Sequence, residues 1–427
     1  MEGPAELPFL PYGRQDVDEA DIAAVAAVLR GDWLTQGPAV AAFERALAAR
    51  VGAGAAVACA NGTAALRLAY AALGLGPGDA VVVPSNTFLA TASAARHAGA
   101  EVVFADVDPE TGLMGAEQAA AAIARGQAAG WRVRALAPVH YAGQTAPMAA
   151  LGALARAHGL AVVEDACHAV GTVDQAGAGG TVPVGACAES ALTVFSFHPV
   201  KTIAAGEGGA VTGNDPALMA RVRRLCNHGM LREAGEGGGE FADRAAARDG
   251  DGVANPWYYE MHEPGFNHRL SDIHAALVLS QMRRLDGFVE RRRHLMALYE
   301  ARLAPLAPLV RPLAAVPWCR PAWHLCAVRI DFAAAGRSRA RVMAALRDRG
   351  VGSQVHYIPV HRQPYWRRRY GALSAGPGPG GGPGLDLPGA DLHYARTLSL
   401  PLYPAMADGD VDRVVAALDA ALTRAAA

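Results

Sequence analysis

Seven short apolar runs, most of them separated by helix-sized segments, dominate the first half of the chain. They are AVACA at 56–60, AVVVP at 80–84, EVVFA at 101–105, VRALAPV at 133–139, LAVVE at 160–164, SALTVF at 190–195 and GGAVTG at 208–213. Runs of this length, interleaved with helical stretches, read as strands that feed helices and return to one sheet. The expected fold is therefore α/β, a large domain with a seven-stranded, mainly parallel sheet. Such sheets bind ligands beyond the carboxyl ends of their strands. Functional residues are expected in the segments that follow the runs.

Residues 17–50 read as amphipathic helix broken at Thr35-Gln36-Gly37-Pro38, and 271–303 as one long amphipathic helix. After it, CAVRIDF, RARVMAALRDRG, SQVHYIPV and GDVDRVVAALDAALTRA form a second, smaller α/β set. The polar, Gly-rich stretch 232–256 reads as a surface insertion, and the Gly/Pro run 371–385 as a mobile loop. The implied division is an N-terminal arm and large domain over 1–265, then a long linking helix and small C-terminal α/β domain over 266–427. With 427 residues, 52% of them apolar, there is enough material for both.

Composition excludes several function classes. A net charge of −1 offers no basic face for nucleic acid. The Ala-rich runs are interrupted by residues such as Arg67, Asn86 and Arg96, so none should span a membrane. The N-terminal MEGPAELPFLPYGRQ lacks the cationic-then-apolar order of a secretory signal. Six scattered cysteines without Cys-x-x-Cys or Cys/His ligand spacing argue for reduced thiols, a cytoplasmic protein and no metal site.

Four segments carry candidate chemistry. In TVFSFHPVKTIAAGEGGAV (193–211), Lys201 follows a strand and is flanked by Phe197, Pro199, Val200 and Ile203. Partial desolvation there would free its amine as nucleophile and base, although a lone lysine is more often solvated surface. In VVEDACHAV (162–170), Glu164 and Asp165 close an apolar strand. A carboxylate in that place, facing a pyridine nitrogen, would keep it protonated and make the ring an electron sink; alternatively Asp165 caps the next helix. His168 is expected on the same face of a following helical turn, within reach of a cofactor's phenolic oxygen. In CANGTAALRLAYAALGLG (59–76), the backbone of Gly62, Thr63 and Ala64 can hold a phosphate, or the turn is an ordinary Asn/Thr cap. Phe88, in VPSNTFLATASA (83–94), either stacks on an aromatic cofactor or belongs to the core.

The order of these features (phosphate turn, aromatic, Asp-x-x-His, Ser-x-x-x-x-Lys) resembles fold-type I pyridoxal-phosphate (PLP) enzymes, and specifically the nucleotide-sugar aminotransferases of the DegT/StrS type. The resemblance runs from PYGRQDVDEADI at 11–22 to SLPLYPAM at 399–406. FSFHPVKTI, NPWYYEM, GFNHRLSDI, LSQMRRLD, RRR, AWHL, VHYIPVHRQPYW and LPLYPAM look like the subgroup that aminates C4 of a UDP-linked 4-keto-6-deoxy-N-acetylhexosamine in pseudaminic-acid biosynthesis. The resemblance implies pyridoxal 5'-phosphate carried covalently on Lys201, with L-glutamate as amino donor. It implies Asp165 at the ring nitrogen, His168 at the phenolic oxygen, Phe88 on the ring, and Thr63, Ala64 and Ser196 at the phosphate. Asn267 and Arg269 would reach the phosphate region of a neighbouring subunit, in a homodimer with shared active sites. Tyr12, His356, Tyr357 and the LTQGP turn would lie near the sugar nucleotide. The chain departs from the pattern at His268, where Tyr is expected, and at His274, where Gln is expected. Lys201 itself excludes the family's dehydratase branch. A dTDP- or GDP-linked substrate, amination at C3, and a non-catalytic cofactor-binding homologue remain open.

Overall fold

The computed structural model describes residues 8–176, 180–232, 240–370 and 385–423. All seven apolar runs are strands of one sheet: β1 (Ala55–Cys59), β2 (Asp79–Pro84), β3 (Glu101–Ala105), β4 (Arg132–Leu136), β5 (Ala161–Asp165), β6 (Leu192–Ser196) and β7 (Gly209–Gly213). The spatial order is β1-β7-β6-β5-β4-β2-β3. Strand β7 runs antiparallel to both β1 and β6, and the other pairings are parallel. The carboxyl ends of β1 to β6 therefore share one edge. Alternate strand residues enter cores on opposite faces: Val81, Val83, Val163 and Val194 on one side, Ala80, Val82, Val162 and Phe195 on the other. A side-chain period of two, apolar at every position, requires helices on both faces.

The N-terminal helical stretch is broken where expected, into α1 (Glu19–Arg30) and α2 (Pro38–Val51). Asp18 caps α1 through a reciprocal capping box with Asp21, and Asp272 accepts N–H groups of Gly37 and Ala39 at the start of α2, at 2.8 and 2.9 Å. Helices α3 (Gly62–Ala72) and α4 (Leu89–His97) follow β1 and β2.

The stretch 271–303 is not one helix. It divides into α5 (Asp272–Met282) and α6 (Leu285–Leu303), with Arg284 leaving helical geometry at φ −102°, ψ 0°. The cause is tertiary. Arg284 Nη1 lies 2.8 Å from Asp16, its Nε 3.2 Å from Asp18 and its Nη2 2.5 Å from Asp21, while its guanidinium covers the Phe288 ring at 4.7 Å.

A second sheet is built from β8 (Val310–Pro312), β9 (Cys326–Ile330) and β10 (Thr397–Leu400), antiparallel in that order. Helices α7 (Arg339–Arg347) and α8 (Asp408–Thr423) pack with it around a separate core that includes Val328, Ile330, Leu346, Leu398, Val414 and Leu418. SQVHYIPV, read as part of this α/β set, is irregular apart from a single bridge between Gln354 and Ser399 and Val360, which opens a short 3-10 helix. The described part of the 232–256 insertion is turns and bends with largely exposed side chains, and the run at 371–385 falls almost wholly outside the described residues. No helix among the described residues is long and apolar enough to cross a membrane.

Candidate active site

Beyond the shared strand edge lies a cleft of about 460 Å³. This is the size range of small-molecule and cofactor sites. Five of the seven strands deliver their following segments to it: Asn61, Gly62 and Thr63 after β1, Thr87 and Phe88 after β2, Val139 after β4, Asp165 and His168 from β5, Ser196 and Lys201 from β6. From far along the chain, Tyr12, His324, His356 and Tyr357 close it.

Asp165 ends β5 and is 5% exposed. Its Oδ2 accepts a hydrogen bond from Thr91 Oγ1 at 2.6 Å, and its Oδ1 accepts from the Cys167 N–H at 3.2 Å. Thr91 and Thr87 hydroxyls are 2.7 Å apart. Thr91 has one proton, and the charged acceptor takes it, so Thr87 is the donor between the two. The segment after Asp165 is a tight turn, not a helix; Asp165 stabilises this turn rather than capping a helix, and His168 is presented from it. Glu164, one residue earlier, points to the opposite face. There it accepts from Thr193 at 3.1 Å and from Ser190, and pairs with His140 Nε2 at 2.8 Å, which ties β4, β5 and β6 together. Burial raises the Glu164 pKa, but those hydrogen bonds and the His140 charge bring it below the ordinary glutamate value.

Lys201 lies in the connection from β6 to β7, closed at its base by Phe197 N–H to Gly208 O (2.8 Å) and Ala205 N–H to Phe197 O (2.8 Å). Phe197, Ile203 and Ala205 beneath it are fully buried. Its ammonium makes no hydrogen bond or ion pair among the described residues, and the side chain is neither open surface nor fully enclosed. Desolvation lowers its pKa below the usual lysine range, partly offset by Cys167 and Asp165. The surface-lysine reading is thereby excluded.

Three imidazoles face the amine. Burial, with the charges of Lys201 and His356, holds His168 well below the usual histidine range. Burial, His168 and Lys201 do the same to His324, and burial with Lys201 takes His356 down to about 3. All three are neutral at physiological pH. The His168 and His324 rings are 4.4 Å apart, and the Nδ1 of each is buried without a hydrogen-bond partner. His356 Nδ1 is 2.8 Å from Ser399 Oγ, and its carbonyl accepts from Tyr141 at 2.8 Å. Tyr357 hydroxyl lies 3.0 Å from His168 Nε2.

His324 is held by a buried cation. Arg292, 1% exposed, directs Nη1 at the carbonyls of Trp323 (3.5 Å), His324 (3.3 Å) and Leu402 (2.9 Å). Its neighbours Arg291 and Arg293 grip Asp408 and the Pro321 carbonyl, at 2.6 and 2.8 Å. The RRR, AWHL and LPLYPAM segments are thus one clasp. AWHL stood out in the sequence, but no local signal placed His324 in the cleft. Thr91 likewise gave no signal.

The turn expected to hold a phosphate is a capped helix start. Asn61 caps α3, its Oδ1 accepting from Ala64 N–H at 2.9 Å. That N–H is spent on the cap, and Ala64 is buried away from the cleft, so the turn's free donors are Gly62 and Thr63 with the nearby Ser196 hydroxyl. The turn needs its glycines: a Cβ on Gly62 would come within 2.9 Å of Ser196 Cβ, and one on Gly209 within 2.4 Å of the Asn61 carbonyl. Phe88 is 55% exposed at the cleft rim, 5.9 Å from the Tyr357 ring, rather than in the core. Asn267 and Arg269 do not line the cleft. They run beside the end of β1, where Arg269 Nη1 donates to Asn227 at 2.6 Å and opens, with Gln36 and Gly37 of the LTQGP turn, onto a separate recess.

The residues fit a pyridine cofactor with a phosphate tail: an unpaired amine, a buried carboxylate, an imidazole with an orphan Nδ1, and a glycine-bearing helix start share one cleft. Fold and cleft together define a fold-type I pyridoxal-phosphate transferase. Comparison with known proteins makes the class specific. The chain belongs to the DegT/DnrJ/EryC1/StrS aminotransferase family, whose model matches residues 15–419. It is 38% identical over 411 residues, 96% of each chain, to the spore coat polysaccharide biosynthesis protein SpsC of Bacillus subtilis (strain 168). It is similar in structure to DesV of S. venezuelae, solved in complex with a ketimine intermediate (TM-score 0.79, 31% identity, covering 98% of this chain and 100% of that one). PseC of Helicobacter pylori, an aminotransferase of pseudaminic-acid biosynthesis, shares the fold (TM-score 0.81, 23% identity, 97% and 99% covered). The protein is a PLP-dependent sugar aminotransferase.

Proposed function

We propose that the protein moves the amino group of L-glutamate to C4 of a UDP-linked 4-keto-6-deoxy-N-acetylhexosamine, in a bacterial, pseudaminic-acid-like amino-sugar pathway. On this reading it works in the cytoplasm as a homodimer, with Asn267 and Arg269 completing the phosphate region of the partner's site. The chain divides functionally into a cofactor-holding part, 1–265, and a closing part, 266–427. The observation that carries the catalytic reading is the unpaired Lys201 amine in the same cleft as the buried Asp165 carboxylate. The substrate reading is supported by the sugar-pathway motifs and by the likeness to SpsC, a polysaccharide biosynthesis protein.

Bound PLP supplies an electron sink for the pair left when a proton leaves the carbon bearing the amino group. The protein's residues do the rest. Lys201 anchors the cofactor. With its pKa depressed, its freed amine accepts a proton from the glutamate α-carbon and later delivers one to the sugar carbon. Asp165, oriented by Thr91, holds a proton on the ring nitrogen. His168 donates to the phenolic oxygen, Phe88 covers the ring, and Gly62, Thr63 and Ser196 take the phosphate. Tyr12 and His356 border the side from which a nucleotide sugar enters.

The test is a screen of UDP-, dTDP- and GDP-linked 3- and 4-keto sugars with glutamate as donor, reading the aminated carbon by mass and nuclear resonance. A dTDP or GDP sugar turned over in preference to the UDP sugar would displace the substrate assignment. Lys201→Ala should abolish turnover and leave no pyridoxyl group on residue 201 after borohydride reduction. A wild-type protein that yields no such adduct on Lys201 would remove the catalytic reading itself.

A further inference from the structure

Tyr357, expected beside the sugar nucleotide, faces another partner. Its hydroxyl is 3.0 Å from His168 Nε2, and the two rings stack at 28° with centroids 6.1 Å apart. We propose that Tyr357 is a positioning residue that acts through His168: it fixes the imidazole tautomer with the proton on Nδ1, and so sets the N–H that meets the cofactor's phenolic oxygen. This rests on the cofactor assignment above and specifies who orients its donor.

Burial keeps the Tyr357 hydroxyl protonated and His168 neutral. A neutral imidazole has one N–H and one lone pair. Were Nε2 the N–H, it would donate to the tyrosine oxygen, and the tyrosine's own proton would have no acceptor among the described residues. With the hydroxyl donating to Nε2, the phenol proton has its acceptor and the imidazole proton stands on Nδ1. That is the atom buried without a protein partner, and a buried donor requires an acceptor. No neighbour supplies one. His324 lies ring to ring at 4.4 Å, the Tyr141 ring is 6.3 Å away, His356 bonds Ser399, and none of them comes within hydrogen-bond reach of Nδ1. The Lys201 amine makes no hydrogen bond to it. An anionic oxygen on the bound ring is the acceptor this arrangement awaits. The Tyr141 bond to the residue before Tyr357 keeps the phenol in place, as an orienting group must be.

Holoenzyme carrying Tyr357→Phe, His168→Gln or both tests this by pH titration of the cofactor's visible absorbance, by cofactor Kd, and by kcat and KM for the sugar nucleotide. Tyr357→Phe should move the titration midpoint upward by about half a unit, weaken cofactor binding and lower kcat while KM stays within twofold. The same substitution should add no further shift in the His168→Gln background. An unchanged midpoint with a raised KM would assign Tyr357 to the substrate and overturn the proposal, as would an equal shift in both backgrounds. Wild-type protein without a visible band would instead fail the cofactor assignment, a separate outcome.

Discussion

At the residue scale the site is a set of side chains whose orientation is fixed by what lies beside them. Asp165 shows this: Thr91 and the Cys167 amide occupy one oxygen each. A hydrogen bond to a charged group is worth about 1.5–3 kcal/mol, and each 1.36 kcal/mol is tenfold in rate. Thr91→Val should therefore lower kcat about ten- to hundredfold while thermal stability changes little, and a variant with wild-type kcat would refute the orienting role. Asp165→Asn should lose most turnover, because an amide cannot hold the ring-nitrogen proton. Asp165 and Lys201 were legible in the sequence because each adjoins a run of apolar residues that announces a strand end. Thr91 was not, because its partner is 74 residues away and the local sequence is ordinary helix. The bond between Tyr357 and His168 is not legible either, for the same reason: the two lie 189 positions apart and meet only in the folded chain.

At the scale of elements, approach distances decide. Strand β7 passes so close to the Asn61 turn that Gly209→Ala must push the turn aside. The donors of Gly62 and Thr63 would move with it, so cofactor Kd should rise about tenfold, roughly 1.4 kcal/mol, with glutamate KM measured at saturating cofactor unchanged. Equilibrium dialysis showing wild-type affinity would refute this. The seven strands could be read in advance because each is a short run buried on both faces. The interruption between α5 and α6 could not, because helical periodicity continues across Arg283 and Arg284 and three aspartates near residue 18 pull the guanidinium out of line. Asp21 is fully buried. Burial alone would raise its pKa, but bonds from Ser280, Asp18 and Gln281, with the Arg284 charge, bring it below the ordinary value. Arg284→Met removes the charged partner while Gln281, Ser280 and Asp18 still bond the carboxylate, and should cost about 1–3 kcal/mol in urea unfolding.

For the whole molecule, the buried neutral histidines set the response to acid. His356 titrates at about 3 and His393 at about 4, burial being the first cause in each, and His168 and His324 lie well below the free value of 6.5. The unfolded chain therefore binds more protons than the native one from about pH 6.5 downward. Stability is fully present above 6.5 and is lost as pH falls toward 4, by up to ~1.4 kcal/mol per pH unit for each such histidine. The urea midpoint should decline steadily from pH 7 to 5, and a flat profile would contradict the burial of these rings. The cleft also has a temporal side. Its walls come from Tyr12 and from Tyr357 as well as from the sheet between, and Arg292 waits for Leu402 before its carbonyls are complete. A polypeptide still leaving the ribosome exposes its reactive amine long before the far wall exists. A chain stopped short of residue 357 should therefore keep its vitamin less tightly, and colour up less fully at a given concentration of it, than one that has run to its end.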